Sequence, residues 1–285
     1  MQSNLSCRTM EDLDFTRPER SEIYDPAIAR TCFESLGKPE SVPRGEPFFT
    51  EGQTSDRMYL LLEGEASLIR GKKPIDIVKA GEIFGEMAAI TLQPRSASAV
   101  ARSACKAISL DARQFLQAIQ QTPEFALMLM SIMINRLRLS VAMLGMTRSL
   151  PEWHGRNESK VFDKKHMDEL SGALPSRPPQ SYPLNTVIMR EGETGVFMYV
   201  VVQGRVAISI QSTVVERIGP GGVFGEMALL DQSKRAASAV TETPSVLLSI
   251  NRNDFLSLVR TKPAFAVSLL KTLAERLRNM TSGQG

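Results

Sequence analysis

The chain has 285 residues, of which 42% are hydrophobic and 23% are charged, and its 34 basic and 31 acidic side chains leave a formal net charge of +3. These values are ordinary for a globular protein and argue against a wholly disordered or collagen-like chain. The length suits two domains, since a domain typically has about 100–200 residues. Because the basic residues are spread along the chain, nucleic acid is not an expected partner.

The cysteines and the apolar segments exclude further classes. The three cysteines are widely separated and lack any CxxC or Cys/His spacing, so we expect no metal and no cofactor. The N-terminus is polar and acidic, unlike a secretory signal. The most apolar stretch, residues 125–134, is about half as long as a bilayer span, and Arg136 and Arg138 follow it. We therefore expect a cytoplasmic protein without a membrane-spanning helix.

The chain contains an internal repeat at an offset of 140 residues. Residues 45–138 align with residues 185–278 without a gap, with 27 identities in 94 positions. The identities cluster, most clearly where FGEMA at residues 84–88 matches FGEMA at residues 224–228. Duplication of one module explains this pattern, and copies of this length are typical of two similar domains and not of a short-period solenoid.

The predicted elements follow one order in both copies. A short amphipathic stretch comes first, DPAIARTCFESLG or FDKKHMDELSGAL. Apolar runs broken by Gly64 or Gly204 follow, MYLLLEGEASLI and MYVVVQGRVAISI, and they predict short strands of a barrel or sandwich. The second half has apolar residues at helical spacing, with Pro123 or Pro263 near the start. Each copy is thus predicted to be a β-roll followed by a helix.

These elements predict the domain organisation. We expect a flexible N-terminus at residues 1–21, a first domain at 22–150 with a long C-terminal helix, and a second domain at 151–285. The boundary falls in SLPEWHGRNESK, residues 149–160, a polar stretch with Pro151 and Gly155. The predicted fold class is mostly β with flanking helices (α+β), consisting of two jelly-roll-like β-rolls that each have N-terminal and C-terminal helices.

One motif carries the chemistry, FGEMAAITLQPRSASAV at residues 84–100 and FGEMALLDQSKRAASAV at residues 224–240. In both copies a glutamate and an arginine are nine residues apart. Glycine allows a close backbone approach, and the helical turn after it would present free N–H groups to an anion. Arginine suits two oxygens of one phosphate, whereas a glutamate carboxylate suits a hydroxyl. A phosphate together with a hydroxyl indicates a nucleotide or a sugar phosphate.

These segments resemble the phosphate-binding cassette of the cyclic nucleotide-binding family, as found in kinase A regulatory subunits, cyclic nucleotide-gated channels and the catabolite activator protein. The Phe-Gly-Glu, the Arg-x-Ala and the glutamate–arginine spacing are present twice, and the resemblance covers about 230 of the 285 residues. We call residues 84–100 the first cassette and residues 224–240 the second cassette. The resemblance implies two cyclic nucleotide-binding β-rolls.

The resemblance also implies the role of each residue. Glu86 and Glu226 would bind the ribose 2′-hydroxyl, and Arg95 and Arg235 would bind the cyclic phosphate. Backbone N–H groups would complete each cradle, near Gly85, Met87, Ala88 and Ala97 in the first site and near Gly225, Met227, Ala228 and Ala237 in the second.

The residue after each cassette arginine bears on which base the site prefers, adenine or guanine. In the family a serine or threonine there can contact guanine, whereas kinase A domains have alanine. The first cassette has Ser96 and the second has Ala236, so the second resembles a cyclic AMP site and the first also permits cyclic GMP. An equally simple interpretation is that any small residue fits. We expect cyclic AMP as the ligand, with cyclic GMP as the other possibility.

The remaining sequence bears on enzymatic activity and on how the protein would signal. No Walker sequence, nucleophile elbow or kinase signature occurs, so no enzymatic activity is expected. The favoured hypothesis is a cyclic nucleotide receptor that signals to a separate effector protein through rearrangement of its helices. The alternative is a scaffold protein that uses the same fold without a nucleotide. The methionine-rich helix that starts near Pro123 is either an adaptable partner surface, a buried helix against the second domain or the seam of a homodimer.

Overall fold

The computed structural model describes residues 25–146, 161–174 and 176–282. The chain divides into two compact units, one that ends at Phe115 and one that begins at Leu116. The predicted flexible N-terminus at residues 1–21 and the predicted linker at residues 149–160 lie outside the described residues. The predicted domain boundary at 150/151 therefore stays a prediction.

The described part of the first unit contains two helices and eight strands before a third helix. They are α1 (Pro26–Leu36), β1 (Lys38–Val42), β2 (Pro47–Phe49), β3 (Met58–Glu63), β4 (Glu65–Arg70), β5 (Lys73–Lys79), β6 (Ile83–Phe84), α2 (Glu86–Thr91), β7 (Ser98–Ala101) and β8 (Cys105–Leu110). Helix α3 (Ala112–Gln121) spans the division between the units.

The second unit repeats this order after its own long helix. Its elements are α4 (Pro123–Met146), α5 (Lys164–Ala173), β9 (Gln180–Tyr182), β10 (Val187–Met189), β11 (Phe197–Gln203), β12 (Val206–Ile210), β13 (Thr213–Ile218), β14 (Val223–Phe224), α6 (Glu226–Asp231), β15 (Ser238–Thr241), β16 (Ser245–Asn251), α7 (Arg252–Thr261) and α8 (Pro263–Ser282).

The strands of the first unit form two antiparallel four-stranded sheets. One has the order β1-β8-β3-β6 and the other has the order β2-β7-β4-β5. Apolar side chains from both sheets fill the space between them, and the ring of Phe84 stacks on that of Tyr59, with 5.2 Å between centroids. Because β6 ends at Phe84, this packing fixes the point where the first cassette begins.

The second unit repeats the sheets of the first. Its sheets have the orders β14-β11-β16-β9 and β10-β15-β12-β13. Tyr199 pairs with Phe224 as Tyr59 pairs with Phe84, so residues 140 positions apart occupy equivalent places in the strand pairing of the two units. The predicted fold class, two β-rolls with flanking helices, is confirmed.

Helix α4 is a core helix of the second unit, where it packs against α8. Its side chains Met128, Met130 and Met133 are fully buried, which agrees with the buried-helix interpretation of the methionine-rich segment. The side chains of Met143 and Met146 lie outside those that the structure describes. Residues 123–142 are long and apolar enough to cross a bilayer, but 56% of their most apolar 18-residue stretch is buried within the protein. The packing against α8 explains this apolar composition.

We predict that truncation of Phe84 destabilises the first unit strongly. Phe84 is fully buried and contacts Phe48 and Tyr59, so Phe84→Ala should lower the free energy of unfolding by about 3–5 kcal/mol. Urea unfolding followed by circular dichroism measures this change. The control is Ile75→Ala, which truncates an exposed side chain on β5 of the same unit and should change stability by less than about 0.5 kcal/mol. A loss of under about 1 kcal/mol for Phe84→Ala would contradict the packing described above.

Candidate functional site

Each cassette begins where a short strand turns into a short helix. Gly85 has a φ of 72° and precedes α2, and Gly225 has a φ of 82° and precedes α6. This left-handed backbone favours glycine, and a Cβ on Gly85 would lie only 2.8 Å from Arg95 Nη1. The glycine therefore meets two requirements at once, a sharp turn and space for the guanidinium.

The predicted glutamates and arginines are the charged residues that this fold buries. Among the described residues, Glu86, Arg95, Glu226 and Arg235 are the four charged residues with no more than 5% of their surface exposed. Charged side chains are almost never buried unless they are paired. The fold thus withdraws both predicted pairs from water, and the environment of each arginine explains how this is possible.

Arg95 is held by backbone carbonyls, a hydroxyl and an aromatic ring. Its Nη1 donates to the Gly85 carbonyl at 2.7 Å, and its Nη2 donates to Ser55 Oγ at 2.8 Å and to the Arg57 carbonyl at 2.6 Å. The guanidinium lies over the ring of Phe49, 3.9 Å from the centroid. Its Nε is buried and has no hydrogen-bond partner among the described residues. One donor of a buried cation thus remains for a ligand.

Arg235 repeats this arrangement with fewer partners. Its Nη1 donates to the Gly225 carbonyl at 2.8 Å, and its Nη2 donates to the Phe197 carbonyl at 2.6 Å. A Cβ on Gly195 would lie 2.1 Å from Arg235 Nε, so the arginine fills the space of a missing side chain. Gly195 corresponds to Ser55 at the offset of 140. A glycine in the second copy thus replaces a hydrogen-bonding serine in the first.

The electrostatics of both arginines favour an anion. Burial lowers the pKa of the Arg95 guanidinium and that of the Arg235 guanidinium, because desolvation disfavours the charged form. The glutamates Glu86 and Glu226 counteract this effect as nearby opposite charges. An anion bound beside either guanidinium would add a further favourable charge.

Glu226 has a second cationic neighbour on the C-terminal helix. Arg276 on α8 donates from Nη1 to Glu226 Oε1 at 2.7 Å, and its Nε lies 3.1 Å from Glu216 Oε2. It also donates to the Val223 carbonyl at 2.6 Å. Burial alone would lower the pKa of Arg276, but the two carboxylates raise it. The carboxylate of Glu226 is thus oriented by α8.

A cavity of about 200 Å³ opens beside the second cassette. Its lining includes Gly225, Glu226, Met227, Ala228, Arg235, Ala236 and Ala237, the complete set predicted for this site. Much of the remaining wall is apolar, with side chains from the β-strands, from α4 and from Met280 on α8, but Glu216, Glu275, Arg276 and Asn279 also line the cavity. The cavity is therefore charged at the cassette and lined by both apolar and polar side chains elsewhere.

The other predicted residues of the first site lie around its glutamate and arginine. Met87 and Ala88 are in the first turn of α2, where backbone N–H groups have no partner within the helix. Ser96 is half-buried and Ala97 is buried, directly after Arg95. The structure thus brings the first predicted set together on one turn and the loop that follows it.

Several residues of these sites were not predicted. In the first site they are Phe49 and Ser55, and in the second they are Arg276, Leu137 and Val141. Only Arg276 had a signal in the sequence, since it matches Arg136 at the offset of 140. No group of three or more potential metal ligands occurs among the described residues.

The fold and the paired cassettes define a class of ligand-binding regulatory domain, and comparison with protein families identifies it. The family model described as the cyclic nucleotide-binding domain matches residues 39–122 and 179–262, which together are more than half of the chain. The chain belongs to the cyclic nucleotide-binding domain family.

Individual relatives include receptors and kinases. The chain is 36% identical over 125 residues to the Cyclic AMP receptor protein of Thermus thermophilus, an alignment that covers 42% of this chain and 58% of that protein. It is 28% identical over 244 residues to cGMP-dependent protein kinase isozyme 1 of Drosophila melanogaster, which covers 82% of this chain and 29% of the kinase. The chain therefore spans between about a third and three fifths of the length of these two relatives.

The similar solved structures include the regulatory domain of Toxoplasma gondii kinase A in a co-crystal with cAMP. The two chains are 20% identical with a TM-score of 0.32, and the alignment covers 83% of this chain and 87% of that one.

We predict that a methyl group on Gly85 costs more stability than one on another glycine with a positive φ. Gly81→Ala adds a Cβ in open space at a φ of 92° and should cost about 1 kcal/mol for the backbone alone. Gly85→Ala adds the overlap with Arg95 and should cost about 1–3 kcal/mol more. Chemical unfolding of both variants measures the difference. Equal losses would mean that Arg95 does not occupy the space beside Gly85.

Proposed function

We propose that the protein is a non-catalytic receptor for a cyclic nucleotide, with one binding site at each cassette and a preference for cyclic AMP. The observation that carries this proposal is the burial of Glu86, Arg95, Glu226 and Arg235, the charged residues that the described fold takes out of water. Burying a charge costs several kcal/mol unless hydrogen bonds or an opposite charge compensate for the lost hydration. A ligand that offers an anionic group to each arginine and a hydroxyl to each glutamate would add to that compensation in both copies.

The chemistry of each site suits a cyclic phosphate joined to a ribose. The phosphate would accept hydrogen bonds from the arginine, including the unpartnered Nε of Arg95, and from the first-turn N–H groups of α2 or α6. The ribose 2′-hydroxyl would donate to the carboxylate of Glu86 or Glu226. The nine-residue spacing supplies both groups from one turn and one loop.

The apolar side chains of the second cavity favour adenine as the base. Leu137, Val141 and Met280 offer no hydrogen bonds to a base, although Glu275 and Asn279 also line the cavity. Against the apolar side chains, the Watson–Crick edge of guanine would leave three polar groups unpaired and that of adenine only two, and each unpaired group has a cost. The alanine at position 236 likewise presents no hydroxyl. Ser96 in the first site carries one, so the preference for adenine should be weaker there.

The signalling role follows from where the ligand would bind. The second cavity is lined by α4 and α8, so a bound nucleotide would contact both helices and favour the arrangement that fits it best. A separate effector protein would then recognise the changed helical surface, either on one chain or on a homodimer. We propose a cytoplasmic location, consistent with the burial of the long apolar helix within the protein.

We predict two bound nucleotides per chain, one of which is lost with each arginine. Calorimetric titration of protein stripped of copurified nucleotide should give saturable binding of cyclic AMP. Arg95→Ala should weaken binding at the first cassette and Arg235→Ala at the second, each by about 2–5 kcal/mol, or roughly 30- to several-thousand-fold in Kd. Parallel titrations with cyclic GMP measure the preference for the base at each site.

The control for this titration is Arg102→Ala, which removes an exposed arginine paired with Glu65 and should leave both affinities unchanged. If stripped wild-type protein binds neither nucleotide, the receptor proposal is wrong, and the alternative of a nucleotide-free scaffold is selected.

We predict that Glu86 acts mainly on the ribose. Glu86→Ala should weaken cyclic AMP binding at the first site by about 1.5–3 kcal/mol, the range for a hydrogen bond to a charged group. It should change the affinity for 2′-deoxy cyclic AMP much less, because that ligand lacks the hydroxyl and only the effect of the Glu86 charge on Arg95 is lost. Titrations in the Arg235→Ala background isolate the first site. An equal loss for both ligands would show that Glu86 supports the cassette and does not contact the ribose.

A further inference from the structure

Helix α4 is attached to the second cassette by one arginine that lies outside the predicted nucleotide contacts. The Arg138 guanidinium donates to both carboxylate oxygens of Asp231, from Nε to Oδ2 and from Nη2 to Oδ1, the latter at 3.0 Å. Its Nη1 donates to the carbonyl of Lys234 at 3.1 Å. Asp231 ends α6 and Lys234 directly precedes Arg235. One side chain thus ties both ends of the loop that carries Arg235 to α4.

This loop benefits from an external support. Gln232 has a φ of 55°, a left-handed backbone that a residue with a side chain rarely adopts. The Asp231 carboxylate also accepts from the Ser233 N–H at 3.0 Å, so it organises the loop from within. The side chains of Arg138 and Asp231 are only 24% and 13% exposed. A shielded fork of this kind is stronger and more directional than a surface ion pair.

The attachment through Arg138 occurs at the second cassette, and the first cassette lacks the residues for an equivalent one. At the offset of 140, Thr91 stands in the first copy where Asp231 stands in the second, and Pro94 stands where Lys234 stands. Threonine cannot supply two anionic oxygens to a guanidinium. The acidic partner of Arg138 is therefore a feature that distinguishes the two cassettes.

The same part of α4 also reaches the cavity. Leu137 and Val141 are one helical turn apart, and both line the cavity beside the second cassette. Arg138 lies between them in the sequence and contacts the loop of the same cassette. Helix α4 thus meets the second cassette twice, through apolar side chains inside the cavity and through a charged fork outside it.

Building on the proposed function, we infer that Arg138 is a positioning residue for nucleotide binding at the second cassette. It holds the loop from Asp231 to Arg235 in place, so that the Arg235 guanidinium meets the phosphate without a prior rearrangement of the loop. Arg138 itself does not touch the nucleotide. Because Arg138 lies on α4, the affinity of the second site depends on the position of this helix.

The test measures binding at the second site alone. In the full chain with Arg95→Ala, stripped of nucleotide, cyclic AMP is titrated by calorimetry with and without Arg138→Ala, Asp231→Ala and both together. We expect each single change to raise the Kd of the second site about tenfold and the double change to raise it by much less than the roughly hundredfold of two independent effects, since both remove the Arg138–Asp231 pair. Arg138→Lys keeps the charge but not the fork, so its Kd should fall between that of the chain with Arg138 intact and that of the Arg138→Ala variant.

Two controls separate positioning from general destabilisation. Arg260→Ala removes another ion pair of α4, the exposed pair with Glu124, and should leave the Kd of the second site within about twofold of its original value. In the Arg235→Ala background, Arg138→Ala should leave the Kd of the first site unchanged.

The possible failures are distinguishable. If the Arg95→Ala protein binds cyclic AMP and Arg138→Ala changes its Kd by less than about twofold, Arg138 is not a positioning residue and the proposed function stands. An equal loss of affinity at both sites would also overturn the inference, since it would indicate global destabilisation. If the wild-type chain binds no cyclic nucleotide, the proposed function and the inference fall together.

Discussion

The burial of an arginine beside a glutamate is the constraint on which each half of this structure depends. A guanidinium withdrawn from water needs compensation for its lost hydration. Both copies supply it in the same way, with the carbonyl of the cassette glycine on one amino group and the carbonyl of Arg57 or Phe197 on the other. The glycine before the short helix is required by this arrangement, because a side chain there would occupy the place of the guanidinium.

The two copies differ in how firmly they hold the arginine. In the first, a serine hydroxyl and an aromatic face add to the carbonyls. In the second, glycine replaces the serine, and an arginine on α8 orients the glutamate. The repeated backbone is thus kept while the side chains around the charged pair have diverged. If both cassettes bind one ligand as proposed, these differences would give the two sites different affinities.

The long helix that follows the first roll belongs to the second compact unit. It packs against α8, lines the cavity beside the second cassette and donates Arg138 to the loop of that cassette. Because α4 packs into this site, a change in the position of the helix would alter the second cassette, and a ligand bound there would in turn favour one position of the helix.

The sequence by itself determined the duplication, the β-roll followed by a helix, the place of each cassette and the glutamate and arginine in it. These follow from local features, such as glycines that allow a left-handed turn, strand and helix periodicity and a spacing shared by both copies. Only the tertiary structure decided what surrounds the charged pairs. Phe49, Ser55 and Arg276 lie about 40–50 residues from the cassette residues they contact, and Arg138 lies 93 residues from Asp231. Much of what holds each arginine is a backbone carbonyl, which every residue possesses and no sequence pattern marks, so only the folded chain could bring those oxygens to the guanidinium.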